Sequence, residues 1–320
     1  MKAAIVKAAG ATPVYGEFRE PVAEAGEVLV RVEASALSHV TKARASGKHY
    51  SSTAGMPLVP GIDGVGCRID SGQRVFFVLP RASFGGMAER VPVVATHCVL
   101  VPDALDSVTA AAIGNPGMSS WAALKERARL VAGETVLVNG ATGVAGSLAV
   151  RIAKFRGAEK VIATGRNPEA LRKLAEAGAD VTISLNQDQE ALEAAFEHAF
   201  ARGVDVVLDY LWGPSARIIL IAAARAGEDA VPIRYIHIGG ASAPTLELPG
   251  AVLRSSALVL MGSGLGSLSL ERLVAATGEM MQVAIPARLH VETEVVPLSE
   301  VEQVWPREVG KSRLVFVPSR

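Results

Sequence analysis

Cysteine is nearly missing: among 320 residues only Cys67 and Cys98 occur, outside any C-x-x-C pair. They allow at most one bridge, which excludes a disulfide framework and a four-cysteine zinc lobe. Net charge is missing as well, since 32 basic residues balance 32 acidic ones, so no basic face argues for a nucleic-acid partner. No apolar run reaches the roughly 18 residues that a membrane-spanning helix needs. The opening MKAAIVKAAG has lysines on both sides of a very short apolar stretch, so it reads as a first strand and lacks the apolar core of a signal peptide. No membrane partner is expected, and a reducing cytoplasm is the expected compartment.

What is abundant is apolar residues, half of the chain, and 31 glycines clustered beside apolar runs. A large core and two domains are therefore expected. In the first third, short β-branched runs such as EVLVRVEASAL, GQRVFFVL and HCVLVP alternate with turn residues, the pattern of a β domain. Around Asp106 the texture turns helical, with Ser119 and Ser120 placed where a helix N-cap is wanted. From Glu134 on, continuous apolar strands (ETVLVNG, KVIATG, VTISL, DVVLDYL, RYIHIGG, LVLMGSG) interleave with helical stretches. Strands apolar on both faces and separated by helices predict a doubly wound parallel sheet. After a last helix the β texture returns. The expected division is a β domain over residues 1–115, an inserted α/β domain over 116–283, and a return to the first domain over 284–320.

Chemistry is concentrated where the strand VLVNG runs into Gly140-Ala141-Thr142-Gly143-Val144-Ala145-Gly146 and then a helix. Read as A-x-G-x-x-G, this turn occupies the place of the dinucleotide fingerprint. Gly143 would let the backbone approach a pyrophosphate, Gly146 would let helix and strand pack closely, and the helix N-terminus would face the phosphates. The second strand ends in Gly165-Arg166-Asn167 with no acid. An acid there would bind the ribose 2′-OH of NAD, whereas the fork of Arg166 suits the 2′-phosphate of NADP and Gly165 leaves it room. The competing reading makes Arg166 a solvated surface residue, as Arg172 is more readily read. Ligands of such sheets bind at the carboxyl ends of the strands, which adds Tyr210 and Leu211, Gly239 and Gly240, and Ser263 and Gly264 to the cofactor candidates.

With these residues in place, the chain resembles the zinc-independent quinone oxidoreductase branch of the medium-chain dehydrogenase/reductase family. The resemblance runs over nearly the full length: MKAAIV, the stretch Val59–Gly66, Gly85–Glu89, Gly117–Leu124, NGATGVAG, GVDVVLDYLWG and Gly310–Phe316. It implies a GroES-like β domain holding an inserted Rossmann domain, and NADPH as the cofactor. Zinc-dependent relatives place a cysteine where Ser38 stands and histidine followed by glutamate where Ile62 and Asp63 stand, so no catalytic metal is implied; His39 is one position off and alone. The family's N-x-x-D pattern is replaced by Ser38-His39-Val40-Thr41, and Tyr50 matches a position where relatives carry a tyrosine near the substrate. Ser38, Thr41 and Tyr50 are accordingly the candidate substrate donors. Ser119 aligns with a family threonine that approaches the nicotinamide, with Asn115 just before it; both residue types also serve as helix caps.

The implied reaction is hydride transfer to a quinone or an α,β-unsaturated carbonyl, acceptors that spread incoming charge onto a distant oxygen and need only modest donors. A carbonyl or acryloyl-type reductase and a catalytically quiet NADPH-binding protein are the alternative readings. The apolar LVLMGSG strand, at the expected sheet edge, suggests a homodimer, as is usual in the family.

Overall fold

Strands buried on both faces must be covered on both faces, and the middle of the chain follows this rule. In the computed structural model, which describes residues 1–48, 52, 55–307 and 312–318, Val136, Leu137, Val138, Val161 and Val207 have no exposed surface. Strands Thr135–Asn139, Lys160–Gly165, Val181–Ser184, Val206–Asp209, Ile233–His237 and Leu258–Gly262 form one all-parallel sheet. Counted along the chain, their spatial order is 3-2-1-4-5-6, the doubly wound Rossmann arrangement. Helices Val144–Phe155, Pro168–Glu176, Gln189–Phe200 and Gly213–Ala226 connect them. The last strand is an edge, and its Val259 and Leu260 stay 43% and 40% exposed. This sheet lies in a compact unit of Ser119–Leu268.

Met1–Met118 and Ser269–Arg320 make the other unit, a GroES-like β domain. Its longest strand, Glu27–Ala36, buries Val28, Val30 and Val32 in alternation. It pairs antiparallel with Asp63–Arg68, with Arg90–Val94 and, at its end, with Arg313–Val317. The register shifts between Val32 and Ala34, a bulge that bends the strand between its partners. Thr293–Pro297 runs parallel to Arg313–Val317 at the sheet's edge, so the chain's last strands complete a sheet begun by its first third. Val30, Phe77, Met87 and Phe316 sit in the core beneath.

Two sequence expectations are corrected here. Ser119 and Ser120 do not begin a helix, because one helix runs without a break from Ser107 to Ala122 through Pro116. Its start is held by Asp106, whose Oδ1 accepts from the Thr109 N–H at 2.9 Å. A Cβ on Gly114, two residues before Pro116, would lie 2.0 Å from the Phe76 ring; the glycine is there for packing. Helix Leu270–Gln282, expected in the inserted domain, groups with the β unit. Its Gly278 lies against Val99, and Gln282 Nε2 donates to the Leu100 carbonyl at 3.3 Å. Among the described residues no helix is long and apolar enough to cross a membrane.

Candidate active site

In the Rossmann sheet, the order turns back between strands Thr135–Asn139 and Val206–Asp209, which pair directly with Asn139 opposite Asp209. The crevice beyond these carboxyl ends is where ligands of such sheets bind. The glycines that follow Asn139 have distinct tasks. Gly140 has φ +87°, which favours glycine, and a Cβ there would meet Leu211 at 2.8 Å. A Cβ on Gly146 would lie 2.4 Å from the Gly140 carbonyl oxygen and 2.7 Å from Ala141 Cα, so Gly146 is what lets helix Val144–Phe155 lie against the turn. Gly143 is exposed and has ordinary space around it, a Cβ approaching nothing closer than 3.5 Å. It precedes the helix in extended backbone, and the amides of Val144, Ala145 and Gly146 follow it as first-turn donors without helical acceptors.

Strand Lys160–Gly165 supplies the second wall. Its Thr164 hydroxyl donates to Asn139 Oδ1 at 2.8 Å and accepts from Gly140 N–H at 3.1 Å, and its carbonyl accepts from Ala141 N–H at 2.8 Å. A Cβ on Gly165 would come within 2.2 Å of Thr142, so Gly165 accommodates Thr142 and so shapes the turn. Arg166 follows, exposed, its carbonyl accepting from Asn186 Nδ2 at 2.8 Å and its guanidinium unengaged among the described residues. Asn167 acts as an N-cap: its Oδ1 accepts from Ala170 N–H at 3.0 Å. Arg172 pairs with Glu176 one turn along its own helix, so its charge is already engaged.

A buried polar network that sequence reasoning does not single out ties these strands together. Asp209 is fully buried. Its carboxylate accepts from Asn139 Nδ2 at 2.8 Å, Tyr235 Oη at 2.8 Å, Leu211 N–H at 3.0 Å and Trp212 N–H at 3.1 Å, and Asn139 Nδ2 also donates to Ser215 at 3.0 Å. Asp209 thereby fixes the turn that packs Leu211 over Gly140. The signal was present in sequence as a polar residue ending each of two apolar strands, VLVN and VVLD. Tyr210 shares its hydroxyl with Ser120 at 2.8 Å, and Ser120 also donates to the Ala145 carbonyl at 3.1 Å; burial pushes the Tyr210 phenol above its ordinary pKa. The backbone after Gly239 and Gly240 folds onto the same turn, Ala241 N–H donating to Tyr210 O and Ser242 N–H to Leu211 O. Ser263 is buried, its N–H on the His237 carbonyl at 2.8 Å, and the exposed Gly264 donates to Ser267 Oγ at 2.8 Å.

In the β unit, Ser38 and Thr41 come together. Ser38 caps helix His39–Ala45 by accepting from Thr41 N–H at 3.0 Å, and the two hydroxyls lie 2.9 Å apart, both buried. Tyr50 lies outside the described residues. Asn115 and Ser119 sit four residues apart within helix Ser107–Ala122, both half-buried. The Asp63 carboxyl, on strand Asp63–Arg68, is buried, and neither oxygen has a hydrogen-bond partner among the described residues. Burial raises its pKa to about 7, the Arg313 charge and the Asn115 amide opposing that rise only in part. Arg313, from the last strand, is buried too. Among the described residues no three His, Cys, Asp or Glu side chains assemble into a possible metal site.

The chain is similar to several known proteins. The sequence pattern of a family described as "Zinc-binding dehydrogenase" matches residues 144–275. A probable NADPH-dependent quinone reductase of Emericella nidulans is 32% identical, covering 96% of this chain and 96% of its own length. The quinone oxidoreductase of Lama guanicoe is also 32% identical, over 60% of this chain and 59% of its own. Among solved structures, the quinone oxidoreductase of Thermus thermophilus, determined also in complex with NADPH, superposes with a TM-score of 0.81 at 28% identity, covering 99% of this chain and 100% of that one.

Proposed function

Because the chain belongs to the quinone oxidoreductase branch of the medium-chain dehydrogenase/reductase family, we propose that it is an NADPH-dependent oxidoreductase that reduces quinones or α,β-unsaturated carbonyls without a metal. The observation that carries this reading is the pairing of an open Gly143 turn with an exposed Arg166 at a strand end that has no acid. The residues fit the coenzyme. The amides after Gly143 would receive the pyrophosphate, and Arg166 the 2′-phosphate as a planar fork. When bound, NADPH supplies the hydride from its nicotinamide ring. Asn115 and Ser119 are proposed for the nicotinamide end. Ser38 and Thr41 are proposed as hydroxyl donors to the acceptor oxygen, with Tyr50 as a third candidate. Since one hydroxyl of the Ser38–Thr41 pair can donate to the other, one proton of the pair remains for an acceptor.

Metal independence rests on the donor set: a capping serine at 38 and an aliphatic Ile62 cannot build a zinc site. The expected result is loss of NADPH absorbance with a panel of quinones and enones, undiminished by a chelator. Coenzyme binding without turnover across the panel would instead favour the catalytically quiet reading, and inactivation by the chelator would remove metal independence.

Coenzyme choice has its own test. Arg166→Ala is expected to weaken NADPH binding roughly 10- to 100-fold, the scale of a lost charge-assisted contact, while NADH binding changes little. Equal losses for both coenzymes would reject the phosphate role. We further propose dimerisation along the exposed edge strand Leu258–Gly262; a monomer in light scattering would exclude it.

A further inference from the structure

Between Glu33 and Asp63 the chain has no acidic residue, while Lys42, Arg44 and Lys48 are basic. In a chain whose charges cancel overall, residues 34–62 are thus a positive stretch, and they include the proposed acceptor donors. Lys42 has its ammonium on the Arg307 carbonyl at 2.8 Å. Arg44 is different: it is half-buried, and its guanidinium has no hydrogen bond or ion pair among the described residues. Its backbone carbonyl accepts from Gly47 N–H at 3.0 Å and from Ser52 Oγ at 3.4 Å. Burial lowers the guanidinium's pKa from its ordinary value, and no carboxylate offsets that effect.

An unpaired, half-buried charge is unfavourable, and three partly buried arginines elsewhere in the chain have partners. Arg234 meets Glu134 at 2.5 Å, Arg74 donates to the Pro102 carbonyl at 2.6 Å, and Arg68 meets Asp70 at 2.7 Å. Arg44 lacks such a partner, and it faces a cavity. Three residues apart on one short helix, Thr41 and Arg44 share a face and line a cavity of about 100 Å³, whose other walls include Leu58, Ile62, Ser83 and Phe84. That volume is below the roughly 150 Å³ of a cavity that takes a benzene ring, so it suits a side group and excludes a quinone nucleus. A planar guanidinium at the wall of a small, partly apolar cavity is built to take a carboxylate with two parallel hydrogen bonds.

We propose that the hydride acceptor carries a carboxylate side group and that Arg44 receives it in this cavity, one helical turn from Thr41. The inference rests on the oxidoreductase reading and adds the charge of the substrate to it. It is tested by NADPH oxidation with a naphthoquinone bearing a propionate side chain and with its methyl ester, using wild type, Arg44→Leu and Arg44→Lys. In wild type the acid should exceed the ester in kcat/KM by about tenfold or more, and the advantage should shrink with added salt. Arg44→Leu should abolish that preference and Arg44→Lys keep part of it; should the leucine variant fail to fold, the graded loss in the lysine variant decides. Equal kcat/KM for acid and ester in wild type, or a preference indifferent to Arg44, overturns the proposal.

Calorimetric titration with a redox-inert naphthalene propionate reads the subsite apart from turnover. Binding that Arg44→Leu removes supports the carboxylate site even where no quinone is reduced, in which case the oxidoreductase reading alone fails. No binding to wild type, together with reduction of the ester, overturns the subsite and leaves the oxidoreductase reading standing. A weakened NADPH affinity in Arg44→Leu with the acid preference intact would assign the guanidinium to the coenzyme phosphates and equally overturn it.

Discussion

Gly146→Ala is expected to cost the protein its coenzyme site and several degrees of thermal stability. The added methyl would stand 2.4 Å from the Gly140 carbonyl oxygen and 2.7 Å from Ala141 Cα. Both are backbone atoms of the turn, so no side chain can rotate away, and helix Val144–Phe155 must shift off the turn instead. Overpacking of this kind costs about 1–3 kcal/mol and more where the backbone is rigid, which translates to about 5–10 °C in a domain of this size. Displacing the helix also moves the first-turn amides, so NADPH affinity should fall by about a hundredfold or more, a loss of roughly 3 kcal/mol. Gly143→Ala is the informative companion. Its methyl finds ordinary space and its backbone is unstrained, so the melting temperature should hold while NADPH binding weakens, because the methyl intrudes where a phosphate would approach. Thermal melts with and without NADPH separate the two effects. Similar stability losses in both variants would refute the division of tasks between the glycines.

The second large effect concerns pH. Asp63 titrates near 7 in the folded chain because burial disfavours its charge, against an ordinary value of 3.8. Below about pH 4 the carboxyl is protonated in both folded and unfolded chains. From there to about pH 7 the unfolded chain releases this proton while the folded chain keeps it, so stability falls with rising pH; above pH 7 the contribution levels off. The total from this one group is about 4 kcal/mol. Asp63→Asn removes the titration, so the difference in urea-unfolding free energy between pH 5 and pH 8 should shrink by a large part of that amount. The groups facing Asp63 are the Arg313 charge and the Asn115 amide. Arg313→Met should therefore push the midpoint higher, since the one opposing charge is gone. Identical pH slopes in wild type and Asp63→Asn would refute the assignment.

Most of the architecture was legible because it is written locally. Runs such as TVLVN and VVLD are apolar on both faces, and their alternation with helical stretches leaves a covered parallel sheet as the arrangement that buries them. The glycine turn was legible for the same reason, since strand, glycines and helix are contiguous. What escaped was non-local or ambiguous. The Asn139–Asp209 bond joins residues 70 positions apart, and Asp63 meets the field of Arg313 from the far end of the chain; sequence shows a polar residue at the end of VLVN and of VVLD, but no window of sequence shows which residue each one pairs with. Ser119 and Ser120 read as caps because serine is a preferred N-cap residue, whereas the helix runs on through them, with Gly114 packed on Phe76 and Gly117 against Met280. For Ser38 and Thr41, sequence supplies the residue types but not their mutual hydrogen bond or the cap.

The position of strand Arg313–Val317 has a consequence for synthesis. The sheet opened by Glu27–Ala36 lacks that neighbour until residue 317 has left the ribosome, whereas every strand of the parallel sheet is available once residue 262 has emerged. Translation therefore presents the inserted unit for completion first, and the amino-terminal strands must wait with an unpaired rim exposed, the interval in which a nascent chain is most open to chaperones and to wrong partners.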